Sequence, residues 1–149
     1  MMPELNKIYC GDALMVLKTW PDEFVQCVIT SPPYWGLRDY GIEGQVWDGD
    51  KDCEHEWGAE KKKKFNPIQG GECLRPHNYE MIQNSSQGKF CINCGAWLGS
   101  LGLEPTPEMY VEHLVEIFRE VRRVLRKDGT LWLNMGDCYA QLGKHKTQK

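Results

Sequence analysis

The stretch Thr30-Ser31-Pro32-Pro33-Tyr34-Trp35 places a hydroxyl, two prolines and two aromatic rings directly after a β-branched run. Proline fixes φ and has no N–H, so the loop is stiff and its carbonyls are offered as acceptors. Ser31 adds a short hydroxyl, and Tyr34 and Trp35 add flat faces. Rigid acceptors beside a stacking ring suit a planar group with an exocyclic amine, such as a nucleobase. The amine hydrogens would bond to the Ser31 hydroxyl and the Pro32 carbonyl. Such bonds hold the nitrogen lone pair out of the ring's conjugation and raise its nucleophilicity. Stacking on Tyr34 would contribute roughly 1–3 kcal/mol. A base in a duplex must be extruded to reach such a pocket. The plain alternative is a strand-terminating turn with its aromatics in the core.

A second set of residues has metal-ligand spacing. Cys53-x-His55 and Cys91-x-x-Cys94 are two ligand pairs, and Gly95 follows the second as in a tight zinc knuckle. One tetrahedral Zn²⁺ could take all four, which leaves no open position for water and makes the metal structural. Cys73 and His77, spaced C-x₃-H, are alternative ligands. Free thiols in a loop are the competing reading. The remaining cysteines, Cys10, Cys27 and Cys138, lie in or beside expected strands and read as buried thiols. Seven cysteines is an odd number and no secretion signal is seen, which disfavours a disulfide framework.

The elements that must position these residues follow from periodicity. Asn6–Cys10 reads as a short strand, and Asp12 caps a helix carrying Ala13, Leu14, Val16 and Leu17. Trp20-Pro21 ends that helix. Phe24–Thr30 is consecutively apolar at CVIT, as for a strand buried on both faces. Strand, helix and strand in about 25 residues predict a βαβ unit and a parallel sheet. The tip Ser31–Trp35 then sits at a strand's carboxyl end, where open parallel sheets collect ligands. Residues 36 to 102 show no sustained period. Thr106 is an N-cap and Pro107 a first helical position. The apolar spacing from Tyr110 to Leu125 predicts a helix of about 20 residues ending near Lys127-Asp128-Gly129. Thr130–Met135 reads as a third buried strand.

Bulk composition sets the class. The chain has 149 residues, a net charge of −3 and 41% hydrophobic residues, ordinary for one globular domain. The acidic balance disfavours a basic nucleic-acid coat protein but allows a local basic groove. Lys61–Lys64 is the single basic block, a solvated loop or a phosphate contact. No run of ~18 apolar residues predicts a membrane span. The first residues lack the apolar core of a secretion signal, so the expected location is cytoplasmic.

The tip resembles motif IV of the amino-methyltransferases acting on DNA, [D/N/S]-P-P-[Y/F/W]. Its Ser form is more similar to cytosine-N4 than to adenine-N6 enzymes. CGDAL at 10–14 resembles the opening segment of permuted members, and 99–139 is similar to the helix, strand and loop that follow. The resemblance implies an α/β fold: part of a Rossmann-like S-adenosylmethionine-dependent sheet with a Cys/His-rich, zinc-binding insertion. It divides the chain into 1–52 with the catalytic loop, 53–97 as the insertion, and 98–149 as the continuation. It implies methyl transfer to the exocyclic amine of a base flipped from double-stranded DNA, in the setting of DNA methylation and restriction-modification. Ser31, Pro32, Pro33 and Tyr34 would be catalytic, and Asp12 and Thr30 would face the cofactor. Trp35, Asn134 and Asp137 would face the base, with Gly136 beside them. The family's D-P-F-x-G-x-G cofactor stretch has no counterpart here, and three of seven strands are expected. A truncated chain, a missing C-terminal half or a partner chain would account for that. Adenine-N6 transfer and a non-catalytic zinc-dependent DNA-binding module are the alternatives. Transfer to RNA or to a protein glutamine is a more distant one.

Overall fold

A computed structural model describes residues 2–37, 39–62 and 86–136. Cys73, His77, Asp137, Cys138 and the second half of the lysine block lie outside the described residues. The order is α1 (Ala13–Lys18), β1 (Val25–Thr30), β2 (Gln45–Trp47), β3 (Lys89–Phe90), β4 (Trp97–Gly99), α2 (Pro107–Val124) and β5 (Leu125–Leu133).

Both helices start where side-chain chemistry says they should. Asp12 accepts the Met15 N–H at 2.9 Å, and Thr106 accepts the Met109 N–H at 3.3 Å with Pro107 opening the helix. The helices are fastened by Arg123, whose guanidinium donates to the Leu17 and Trp20 carbonyls, each at 2.8 Å. One cation thereby ties the end of α1 and the turn after it to α2.

β1 and β5 pair in parallel, as the sequence predicts, with Cys27 opposite Thr130 and Thr30 opposite Leu133. The sheet departs from expectation in three ways. β5 begins directly at the end of α2, at Leu125, instead of after Gly129. Val25 pairs with Leu125 and Cys27 with Thr130, so five steps along β5 match two along β1, and the excess forms a bulge. Asn6–Cys10 is not a strand, since nothing among the described residues pairs with it. The expected three-stranded sheet therefore has two strands here. Finally, β1 is not buried on both faces: Ile29 is 80% exposed and Trp132, its partner on β5, 65%. Cys10 and Cys27 are likewise exposed, not buried. A two-stranded sheet has too few neighbours to cover its apolar side chains.

The aperiodic region contains a second, antiparallel sheet of order β2-β4-β3. Its strands are two or three residues long, too short to give a periodic signal. Trp47 and Trp97 are cross-strand partners, and both are buried. With Leu14 of α1 they form a core onto which Met109 and Ile117 of α2 pack. The small sheet is thus docked onto the helices by its tryptophans.

Because Ile29 faces solvent, Ile29→Thr is expected to change stability by less than about 0.5 kcal/mol. Leu114→Ala, on the packed face of α2, is expected to cost about 2–5 kcal/mol. Urea unfolding followed by circular dichroism reads both.

Candidate functional site: a braced proline loop and a cysteine–histidine cluster

The loop after β1 is held from three sides. The Tyr110 hydroxyl donates to the Pro33 carbonyl at 2.7 Å. Burial raises the Tyr110 phenol above its usual pKa, helped by Glu104 and Tyr34, so it stays a donor. The Gly36 N–H donates to the Gly102 carbonyl at 2.7 Å. Trp35 donates its indole N–H to the Glu104 carbonyl at 2.9 Å. Gly102, at φ +92°, lies so close that a Cβ would come within 3.0 Å of the Pro33 Cβ. Glycine is required there by both conformation and space.

These contacts revise one expectation. The Pro33 carbonyl is not free as an acceptor, because Tyr110 occupies it. Among the described residues the Pro32 carbonyl has no such partner. Ser31 is exposed, while Pro32, Pro33 and Tyr34 are half-buried. The strand end of β5 meets the same loop. Asn134 donates its N–H to the Thr30 carbonyl at 2.9 Å, and a Cβ on Gly136 would fall 2.6 Å from the Tyr34 ring. Asn134 and Gly136 therefore stand beside the loop.

The two residues expected to face a cofactor differ. Thr30 lines a cleft of about 680 Å³ with Gly11, Ala13, Ser31 and Pro32. Asp12 adjoins that cleft, but one carboxylate oxygen is used to cap α1. The cleft floor is largely aliphatic, from β1 and α2. The described residues thus fit one wall of a cofactor site.

The four sequence-predicted metal ligands come together. Cys53, His55, Cys91 and Cys94 place their ligand atoms within 4.8 Å of one another. The Cys53 and Cys91 sulfurs are 3.9 Å apart, and the Cys94 sulfur is 3.5 Å from His55 Nδ1. Tetrahedral zinc implies about 3.8 Å between sulfurs and about 3.5 Å between sulfur and nitrogen. The donor set therefore fits that metal. His55–Trp57 runs antiparallel beside Phe90–Ile92, and Gly95, at φ +77°, closes the Cys91–Cys94 turn with its N–H on the Cys91 carbonyl. Burial raises both the Cys53 and Cys91 thiols. At Cys91 the Cys94 backbone N–H and His55 outweigh it, bringing the thiol down to about 6; Cys53, crowded by two other sulfurs, is pushed up to about 12.

Sequence reasoning missed a third group. His113 on α2 is 1% exposed and sits between two carboxylates. Its Nδ1 lies 3.0 Å from Glu104 Oε1 and its Nε2 2.8 Å from Asp48 Oδ2. Ionised carboxylates only accept, so this geometry favours the imidazolium form, with a proton on each ring nitrogen. The Trp47 and Trp97 indoles stack on it at centroid distances of 4.2 and 5.3 Å. Glu104 is itself fully buried and accepts the Gly102 N–H at 2.8 Å. The available signal was a histidine three residues after Tyr110 on an apolar helix stripe, where a polar ring needs a partner.

Comparison with known proteins identifies the family of the chain. The model of a DNA methylase family, the N6/N4 methyltransferases, matches residues 25–148. The chain belongs to this family. Among curated relatives, the Type II methyltransferase M.XycI of Xanthomonas campestris pv. cyanopsidis is 36% identical over 134 residues, 90% of this chain and 26% of the relative. M.Cfr9I of Citrobacter freundii is 33% identical, covering 91% of this chain and 28% of the relative. M.SmaI of Serratia marcescens is 32% identical, covering 93% and 28%. The chain thus spans about a quarter of the length of these relatives. No solved structure gives a significant match. Among the described residues no helix is long and apolar enough to cross a membrane.

Burial opposes charge on His113, but hydrogen bonds and charges from Glu104 and Asp48 outweigh it and raise its pKa above 6.5. A raised folded-state pKa contributes stability that is complete below the unfolded value and is lost as pH rises through the folded one. The urea midpoint is therefore expected to fall as pH climbs above about 6.5. His113→Gln should flatten that slope.

Proposed function

We propose that this DNA methylase family chain supplies the base-binding half of an S-adenosylmethionine-dependent transfer to an exocyclic amine, with cytosine N4 as the acceptor. The observation that carries this reading is the braced loop. Tyr110, Gly102 and Glu104 fix Pro33 to Trp35, while the Ser31 side chain and the Pro32 carbonyl remain toward the cleft mouth. A flipped base would stack on Tyr34 and donate its amine hydrogens to Ser31 and Pro32. The amine lone pair is then directed toward the methyl donor. Bound S-adenosylmethionine would supply an electrophilic sulfonium methyl: as the amine N–C bond forms the C–S bond breaks, the thioether leaves, and the amine gives up one proton to solvent, with no covalent enzyme intermediate. Thr30 and Asp12 are assigned to that cofactor, and Trp35, Asn134 and Asp137 to the flipped base. Positioning is the main contribution of these residues, and orientation of reactants can account for several kcal/mol of a barrier. The serine at position 31 supports cytosine over adenine. Double-stranded DNA is the proposed partner, and the cytoplasm the proposed location.

The Cys53, His55, Cys91 and Cys94 cluster is assigned to one structural zinc ion. A four-residue ligand set ties two chain segments 38 residues apart in sequence, from Cys53 to Cys91. Chelation is expected to lower the melting temperature by several degrees, and Cys94→Ser to abolish that metal dependence. An unchanged melting curve with chelator present contradicts the zinc assignment.

The functional test is nucleoside mass spectrometry on DNA from a methylation-free bacterium expressing the chain. N4-methylcytosine is expected, with loss of at least tenfold in Tyr34→Ala. N6-methyladenine would keep the transfer and overturn the base. Unmodified DNA, from the chain alone and with the remainder of a relative's chain co-expressed, overturns the reading.

A further inference from the structure

The buried histidine connects two features that the sequence treats separately. On one side is the cysteine–histidine cluster. Gly49 packs against it: a Cβ there would fall 3.3 Å from the His55 ring and 2.8 Å from the Ala96 Cβ. Asp48, the neighbour of Gly49, is held in the left-handed region at φ +57°. Its carboxylate reaches out of that turn to His113 Nε2 at 2.8 Å. On the other side is the proline loop. Glu104 takes the opposite nitrogen of the same ring and orders its own segment through the Gly102 N–H. That segment holds Trp35 and Gly36 by hydrogen bonds and Pro33 by contact. His113 and Tyr110, one turn apart on α2, thus grip the cluster lobe and the loop from one helix face.

We propose that Asp48, His113 and Glu104 are positioning residues through which metal occupancy of the Cys53–His55–Cys91–Cys94 cluster sets the geometry of the Ser31–Trp35 loop. The coupling rests on the zinc reading above. The physical warrant is continuity of directional contacts. A metal ion fixes His55 and Cys53, these fix the Gly49 turn, and the turn fixes where the Asp48 carboxylate points. The imidazolium cannot follow two carboxylates that move independently, so a displaced Asp48 is felt at Glu104. Glu104 has no freedom to absorb it, because both of its oxygens are already committed and its side chain is fully buried. The outlet is the loop it supports.

The chain's tryptophans make this measurable. Trp35 reports the loop through its indole N–H on Glu104, while Trp47 and Trp97 report the lobe through theirs on Gly99 and Gln87. Cobalt(II) absorption on the full chain reads metal binding at the cluster. Zinc titration of ¹⁵N-labelled chain, followed at the indole resonances, reads transmission. Asp48→Gly removes the carboxylate and tolerates the left-handed backbone, so it cuts the bridge without strain. Asp48→Asn restores an acceptor and also tolerates that backbone. In the unaltered chain the thiolate–cobalt band and a zinc-induced shift of the Trp35 indole are both expected. In Asp48→Gly the band and the Trp47 and Trp97 shifts should persist while the Trp35 shift is lost, and Asp48→Asn should recover it. A Trp35 shift equal in Asp48→Gly and the unaltered chain overturns the bridge. So does metal binding that leaves Trp35 unmoved in the unaltered chain. Absence of the cobalt band overturns the zinc reading, and the transmission with it.

Discussion

An imidazolium held between two carboxylates under a pair of indoles is the contact on which the rest of this arrangement depends. Burying His113 and Glu104 offsets much of their Coulombic attraction, and Asp48, half of whose side chain stays in solvent, adds a screened one. The effect of the His113 network is therefore on geometry more than on net stability. It forces one register among three segments far apart in sequence: the turn after β2, the approach to α2, and α2 itself. Glu104 makes the constraint strict, since each of its oxygens already serves a different donor. The proline loop inherits this order through Trp35, Gly36 and Pro33. A loop tip made of prolines is stiff within itself, but stiffness alone does not place it. The buried network and Tyr110 do that.

How much was legible in the sequence depended on the range of the signal. Helix caps at Asp12 and Thr106 are local chemistry, and both are found as read. The parallel pairing of β1 with β5 followed from apolar runs separated by a helix. Cys53, His55, Cys91 and Cys94 could be picked as a group that comes together because metal-ligand spacing is a property of short stretches of chain. What sequence could not convey was long-range. His113 finds its partners nine and 65 residues away, and a lone histidine in an amphipathic helix carries no mark of either. The small sheet was invisible because two- and three-residue strands have no period. Burial of β1 was overestimated because a run of apolar residues states a preference, not the presence of a neighbour. Its β5 partner begins early because Leu125 can leave the helix directly into extended backbone, at ψ 133°.

The exposed apolar face belongs to the same picture. Ile29, Leu131, Trp132 and Leu133 lie on the two-stranded sheet with substantial exposure. The relatives that this chain matches are three to four times its length on the coverage found. The proline loop is nonetheless braced from within the described residues, by Gly102, Glu104 and Tyr110 and by the β5 end at Asn134. Loop, brace and cysteine–histidine cluster form one connected unit, joined to the sheet where the Asn134 N–H meets the Thr30 carbonyl.

The most direct test of this account is the protonation state of His113 in the folded chain, read from its ring nitrogens by ¹⁵N NMR at pH 6.5, where a free imidazole is half-protonated. The account predicts that both nitrogens carry protons, with chemical shifts typical of imidazolium, and that titration occurs above 6.5. A neutral ring with one bare nitrogen at that pH would contradict it. Glu104 and Asp48 could then not both be held by the ring, and the link from cluster to loop would be broken at its centre.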